Sequence, residues 1–404
     1  MKYCVLVVDG AAGWPLPERG RKTCLELAHT PNLDRMTTEG VLGMVRTVPP
    51  GMEPSSACAC MSLLGYDPTV YYRGRSAIEA RSMGIPVNEE EVVFRCNLVA
   101  VRDGKMWSYC SGHISSEEGH PLIVALEESL GSDKIHFYPG VGYRHICKIK
   151  GEEDTLLATC TPPHDIPNKP VADFMPQGPG SELLQELMLC SQDVLRDHRV
   201  NLERKSRGEI PATMIWLFWG SGQIPELPAF KERYGLDAAM TSGVDLLRGL
   251  ANMAGIDILD IPGVTDGSDN DYARQGTGAI QALGEYDIVV VHIEAPDEAA
   301  HAGSINDKIE AIQHVDREML SLFLSWRERD NGKKGDNLRM LILPDHATPI
   351  AAQTHTPEPV PFLLWGPGFE ANGAKRFTEA EAKNTGVYID DGHAIMGRLI
   401  GTSI

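Results

Sequence analysis

Short apolar runs that stop at a carboxylate or an imidazole recur along this chain. Residues 3–8 are β-branched and apolar and end at Asp9-Gly10; residues 287–293 run into Glu294-Ala295-Pro296-Asp297; Leu341-Ile342-Leu343 stops at Pro344-Asp345-His346, with His355 nine residues beyond His346. Runs of this length are strands, and further strand candidates are 213–218, 256–261, 339–343 as a whole, and 360–365. Between them lie 3.6-periodic segments at 242–253, 272–283, 305–328 and 378–385. Alternation of strands with helices predicts an α/β fold: a mostly parallel sheet covered by helices on both faces. Thr30-Pro31 reads as a helix start, with Thr30 as the N-cap and Pro31 at the first helical position.

The texture changes near residue 92. Residues 92–99 alternate like a strand, 135–138 and 144–149 look similar, and 117–130 and 181–199 carry helical periodicity. A loop rich in Pro and Gly over 159–180 holds His164-Asp165, and the charged stretch 199–207 reads as a return linker. This is the pattern of an α+β unit separate from a parallel sheet. It predicts a core domain made of 1–91 and 211–404, with 92–210 inserted.

Composition narrows the function. At 404 residues, with 42% hydrophobic and 23% charged content, the chain has room for a large core and a second domain. No apolar run approaches the roughly 20 residues that span a bilayer. The formal charge of −19 excludes a basic nucleic-acid or anionic-membrane face and suits divalent cations. Nine cysteines without a CxxC pair give no disulfide framework, so a reducing cytoplasm is expected.

The chemistry collects at strand ends. In a parallel sheet the carboxyl ends of strands face the ligand crevice, which places Asp9, Asp345 and His346 there. Asp297 and His301 are spaced i, i+4, which puts both on one face of a helix. With His355 these make six oxygen and nitrogen ligands, more than one tetrahedral ion needs and suited to a pair of divalent ions. Ser56, where a Pro/Gly loop enters a run of small residues, is either a helix cap or the hydroxyl that such ions activate.

Taken together these residues resemble a known family, the archaeal-type cofactor-independent phosphoglycerate mutases of the alkaline phosphatase superfamily. The resemblance rests on Val8-Asp9-Gly10, Thr30-Pro31-Asn32-Leu33-Asp34, Pro50-Gly51 through Leu64-Gly65-Tyr66-Asp67-Pro68, Tyr72-Arg73-Gly74-Arg75, Phe94-Arg95-Cys96-Asn97, Tyr143-Arg144-His145, Pro163-His164-Asp165-Ile166, Ala295-Pro296-Asp297-Glu298-Ala299-Ala300-His301, Asp345-His346 and Thr354-His355-Thr356. It implies an alkaline-phosphatase-like core in which 92–210 is a substrate-closing insertion. Ser56 falls at the family's nucleophilic serine, which takes the phosphoryl group of 3-phosphoglycerate and returns it to the 2-hydroxyl. By the same matching Asp297, His301 and His355 hold one metal, and Asp9, Ser56, Asp345 and His346 the other. Manganese is the implied ion, with magnesium, cobalt or zinc as alternatives. Arg95, Arg144, His164 and Asp165 match motifs that bind substrate or shuttle its protons, and Arg248 stands where the family commonly has a substrate-binding lysine.

The chain departs from the family's pattern around the nucleophile. Ala57 and Cys60 occupy the places of an aspartate and a histidine, Ser55 that of a glycine, and Gln353 that of a lysine. The alternative reading is therefore a phosphohydrolase or phosphomutase of the same superfamily acting on another small phosphate ester. Neither reading calls for nucleic acid or membrane, and oligomeric state is open.

Overall fold

The apolar run at the start of the chain forms β1 (Lys2–Val8), and the sheet grows from it on both sides. The structure is a computed structural model that describes residues 1–224, 226–329 and 337–401. β1 pairs in parallel with β10 (Ile288–Ile293) and with β11 (Leu338–Leu343), its Val7 lying level with His292 and Leu343. Beyond β10 the sheet continues through β8 (Ala238–Thr241) to the two-residue β9 (Asp257–Ile258). Beyond β11 it continues through β12 (Val360–Trp365) and β2 (Val41–Val45) to β13 (Tyr388–Ile389). Only β12 runs against its neighbours, so the sheet is mostly parallel, as expected. Every position of β10 and β12 is buried, which requires cover on both faces and explains why these strands read as continuous apolar runs.

Two compact units divide the chain: Met1–Tyr72 with Glu226–Ile404, and Arg73–Pro225. The second starts earlier and ends later than the composition change suggests. Its sheet holds β3 (Glu91–Arg102), β4 (Lys105–Ser108), β5 (Ile135–Tyr138), β6 (Arg144–Lys150) and β7 (Met214–Ser221), and every pairing is antiparallel. The run at 213–218 was expected in the parallel sheet; it is β7, paired with β3 in this second sheet. A central strand with both faces covered has the same apolar pattern in either sheet, so the run alone does not specify its partner.

β3 alternates cleanly. Val92, Phe94, Cys96 and Leu98 join the core with Leu122, Ile123 and Leu126 of the helix Ser116–Leu130 and Leu184, Leu187 and Met188 of the helix Ser181–Arg196. Val93 and Arg95 point the other way, toward the helix Arg75–Ser82. The stretch 199–207, read as a linker, is instead largely the helix Arg199–Ser206. It has little apolar surface and is held by polar side chains: Asn201 exchanges hydrogen bonds with Ala212 and donates to Leu195 O, and Arg204 donates to Ile210 O and Ser111 O.

The helix Pro31–Glu39 forms where Thr30-Pro31 predicts, but Thr30 makes no side-chain cap. Asp316 supplies it from a distant π-helical turn, Val315–Leu320, that interrupts the long helix expected over 305–328. Its Oδ1 accepts from Leu33 N at 2.7 Å and its Oδ2 from Asn32 N at 3.4 Å, satisfying amide groups that a helix start leaves open. No helix among the described residues is long and apolar enough to cross a membrane.

Candidate metal centre

Four adjacent parallel strands, β8, β10, β1 and β11, end at one edge of the first unit's sheet and present Ser242, Glu294, Asp9 and Asp345-His346 just beyond their last residues. The register of β1 with both neighbours keeps those ends level. Gly10 turns the chain immediately after Asp9 with φ of +61°, and a Cβ there would collide with the Asp297 carboxylate. A side chain is therefore excluded by both conformation and space.

The predicted ligands gather in two sets, within each of which the ligand atoms lie within 4.8 Å of one another. The first is Asp297, His301 and His355. Asp297 and His301 sit on the short helix Ala295–His301, whose i, i+4 spacing brings His301 Nε2 to 3.0 Å from Asp297 Oδ2. His355 Nε2 lies 3.5 Å from the same oxygen. Each ring donates its other nitrogen to a main-chain carbonyl: His301 Nδ1 to Gln353 O at 2.9 Å and His355 Nδ1 to Pro54 O at 3.1 Å. With Nδ1 committed to a carbonyl, each ring is oriented so that its Nε2 faces inward. Gln353 holds His301 by its carbonyl, and its side chain donates to His301 O at 3.2 Å.

The second set is Asp9, Asp345 and His346, all fully buried, with Ser56 beside them. His346 Nε2 lies 3.2 Å from Asp345 Oδ2, 3.6 Å from Asp9 Oδ1 and 3.2 Å from Ser56 Oγ. Asp345 Oδ1 accepts from the backbone N–H groups of Gly10 and His346, which leaves Oδ2 for the cluster. Asp9 Oδ1 and Asp345 Oδ2 are buried without a hydrogen-bond partner. Thr348 joins the sets: its hydroxyl donates to Asp297 Oδ1 and accepts from His346 Nδ1 at 3.2 Å. Lys308, also fully buried, donates to Ala12 O at 3.0 Å and Thr348 O at 2.7 Å, tying the loop after β1 to the loop after β11.

Of the two serines at this helix start, Ser55 and not Ser56 makes the cap. Ser55 is the N-cap of Ser56–Leu63, accepting from Cys58 N, while Ser56 is the first helical residue and turns its hydroxyl to His346. Cys60, one turn on, is packed beside Asp345 and Asp9, and burial followed by those two charges pushes its thiol well up. It is a neutral core residue.

The electrostatics are those of carboxylates crowded out of water. Burial, then the charges of Asp345 and Asp297, push Asp9 well above the usual carboxylate range; burial and Asp9 do the same to Glu294. Burial pushes His346 down to about 4. Asp297 goes the other way: burial raises it, but His301 and His355 outweigh burial and hold it well below its ordinary range. Orphaned carboxylate oxygens and three inward-facing imidazole Nε2 atoms make a donor set that fits divalent cations, with oxygen and nitrogen ligands for each.

The other predicted site residues are in neither of these two sets. Arg248, on the helix Asp245–Met253, pairs with Asp260 at 2.8 Å and lines a cavity with Ser242. Arg95, Arg144, His164 and Asp165 belong to the second unit. There Arg95 is buried and donates to Glu79 Oε2 at 2.6 Å, and Arg75 holds the opposite oxygen at 2.7 Å. Burial lowers Arg95 to about 10, with Glu79 opposing and the charges of Arg75 and Arg144 adding to the fall. Trp219 binds this group together: Arg75 lies 4.6 Å and Arg95 5.9 Å from its ring centroid, and the His164 ring 5.6 Å away. Trp219 and Gly220 form a bulge opposite Phe94, between the pairs Val93–Ser221 and Arg95–Phe218, and Trp219 has φ of +52°. A bulky residue in that left-handed region is an outlier of the sort that collects at functional sites. His164 Nε2 lies 3.9 Å from Asp165 Oδ1.

Sequence patterns pass over Glu79, Trp219, His292, Lys308 and Thr348. The family model for 2,3-bisphosphoglycerate-independent phosphoglycerate mutase matches residues 37–201. A protein of that name from Methanothrix thermoacetophila is 44% identical over 400 residues, covering 99% of this chain and all of the relative. One from Geobacter sulfurreducens, named as probable, is 40% identical over 405 residues at the same coverage. Among solved structures, a Pyrococcus horikoshii protein aligns over 100% of this chain and 98% of its own with a TM-score of 0.80 and 25% identity. The cofactor-independent phosphoglycerate mutase from Thermoplasma acidophilum shares the fold, with a TM-score of 0.62 and 24% identity over 99% of each chain. Full-length identity of this order shows the descent of the whole molecule, both units included, and the chain belongs to the 2,3-bisphosphoglycerate-independent phosphoglycerate mutase family.

Proposed function

We propose that this chain interconverts 3-phosphoglycerate and 2-phosphoglycerate through a phosphoserine at Ser56. The observation that carries the reading is the placement of Ser56 Oγ, 3.2 Å from His346 Nε2, at the edge of a buried set of carboxylates with unpartnered oxygens. Family membership supplies the substrate class.

Asp9, Ser56, Asp345 and His346 would hold one divalent ion and Asp297, His301 and His355 the other; we take both to be manganese. When bound, such ions lower the pKa of the serine hydroxyl and neutralise phosphate charge. The chain's own groups do the rest. Ser56 Oγ, losing its proton, bonds to phosphorus as the phosphorus–O3 bond breaks, and the departing O3 takes a proton. The retained glycerate then presents its 2-hydroxyl, which loses its proton, accepts the phosphoryl group and restores Ser56. Backbone N–H groups at the start of Ser56–Leu63 favour the extra negative charge that the phosphoserine brings. Arg95, Arg144 and Arg248 are assigned to the phosphate and carboxylate, and His164 with Asp165 to proton transfer at the two hydroxyls. The nine free thiols suit a reducing cytoplasm.

The test is a coupled assay with 3-phosphoglycerate and manganese, run beside Ser56→Ala with free phosphate monitored. The unaltered chain should form 2-phosphoglycerate and the variant none. Release of phosphate without isomer formation would contradict it.

A further inference from the structure

Each side chain of the two ligand sets is held by an identifiable neighbour. Asp345 is held by two backbone N–H groups, Asp297 and His346 by Thr348, His301 by Gln353 O and His355 by Pro54 O. Asp9 differs: the N–H donor that reaches its carboxylate belongs to an imidazole. His292 Nε2 lies 2.8 Å from Asp9 Oδ2, and both residues are buried.

His292 occupies the fifth position of β10, in the middle of an apolar run, where a histidine needs a reason. Its two nitrogens are both accounted for. Nε2 faces carboxylate oxygens alone, Asp9 Oδ2 and, at 3.6 Å, Glu294 Oε2, so it carries the hydrogen. Nδ1 lies 3.1 Å from Ser242 Oγ. That oxygen already accepts from Val244 N at 3.0 Å, which leaves the serine hydrogen to donate to Nδ1. The chain of donors thus runs from the Val244 amide through Ser242 and His292 to Asp9, and it crosses from β8 to β10 to β1. Fixed at both ends, the ring occupies Asp9 Oδ2 and leaves Oδ1, which is buried without a partner, turned to Asp345 and His346.

We propose that His292 is the positioning residue of Asp9: its Nε2–H, locked by Ser242, selects the carboxylate rotamer that offers Oδ1 to a cation. The inference rests on the reading of Asp9 as a metal ligand, and goes beyond it in naming what makes Asp9 competent. Residues that orient metal ligands in this way typically contribute about 10–100-fold in affinity. Ser242→Ala, which frees the ring without removing it, would have a smaller effect.

The experiment is a calorimetric titration of Mn2+ into metal-stripped full-length protein, with bound metal counted by elemental analysis and thermal midpoints recorded without metal. The variants are Asp9→Ala, His292→Leu and His292→Gln; Gln keeps an N–H donor near the position of Nε2. The expected result is two ions per chain in the unaltered protein and one class of site weakened about 10–100-fold in His292→Leu. His292→Gln should recover most of that affinity, at a metal-free midpoint no higher than that of His292→Leu. Tight binding of both ions by His292→Leu would overturn the proposal, as would a Gln variant no better than Leu. A third ion that is lost with His292 would overturn it too, since Asp9, His292 and Glu294 lie close enough to share one and His292 would then be a ligand. If Asp9→Ala binds both ions as tightly as the unaltered chain, the failure lies in the ligand assignment itself.

Discussion

His301 and His355 point their Nε2 atoms at each other across 2.9 Å, and both face the same oxygen of Asp297. With each Nδ1 donating to a carbonyl, the two Nε2 atoms are left to converge on one point beside a carboxylate, an arrangement of nitrogen and oxygen donors that suits a divalent cation. Asp297→Asn keeps the shape but removes the charge, so it should bind one divalent ion fewer per chain than the unaltered protein. Elemental analysis after dialysis against Mn2+ measures this; an unchanged count would contradict the assignment.

Glu79 is the buried carboxylate between Arg75 and Arg95. Burial alone would raise it, but the charges of Arg95 and Arg75 prevail and hold it below the usual range. Glu79→Ala leaves the Arg95 guanidinium buried without its partner, and breaking such a pair costs about 3–5 kcal/mol. Denaturant unfolding should show a loss of that size. Truncating the exposed Glu328, which pairs with Arg35 beside Glu39, should cost under about 1 kcal/mol.

Asp316 caps the helix Pro31–Glu39 across nearly three hundred residues of sequence. Asp316→Ala should destabilise the protein by about 0.5–2 kcal/mol, and Asp316→Asn by less, since an amide oxygen still accepts from Leu33 N. Thr30→Ala, by contrast, should change little, because Thr30 makes no side-chain cap. Paired thermal melts check both expectations.

His145 gives a pH dependence with a definite sign. Its Nδ1 accepts from Gly140 N at 2.9 Å, and burial, followed by the charges of His120 and Arg95, lowers its pKa to about 3. The unfolded chain takes up a proton near pH 6.5 that the folded chain refuses until about pH 3, so this residue makes stability fall as pH drops through that window. His145→Asn keeps an acceptor for Gly140 and does not titrate. Between pH 6.5 and 5 the unaltered protein should lose on the order of 1–2 kcal/mol more than the variant. Equal slopes in urea unfolding across that range would contradict the buried neutral ring.

The strand-edge cluster of Asp and His side chains was legible because an apolar run that halts at Asp or His marks the end of a buried strand, and i, i+4 spacing on a short helix needs no tertiary knowledge. His292 was not, because its apolar neighbours give a core histidine and a positioning histidine the same pattern. Glu79 and Trp219 act through partners across a sheet whose pairing the local sequence does not contain: β7 looks the same whether it joins the parallel sheet or lies beside β3. The helix Arg199–Ser206 escaped because Asn201 and Arg204, and not an apolar stripe, hold it in place. β2 was hidden by Gly43 within it, and β8 by its four-residue length.

The central claim is that Ser56 carries the phosphoryl group between the two hydroxyls of one retained glycerate. Rapid acid quench during turnover of 3-phosphoglycerate, followed by peptide mapping, tests it most directly. Phosphate should appear on the peptide containing Ser55 and Ser56, located at Ser56 and absent from Ser56→Ala. Isomerisation that persists in Ser56→Ala, or label confined to Ser55 or to another residue, would contradict it.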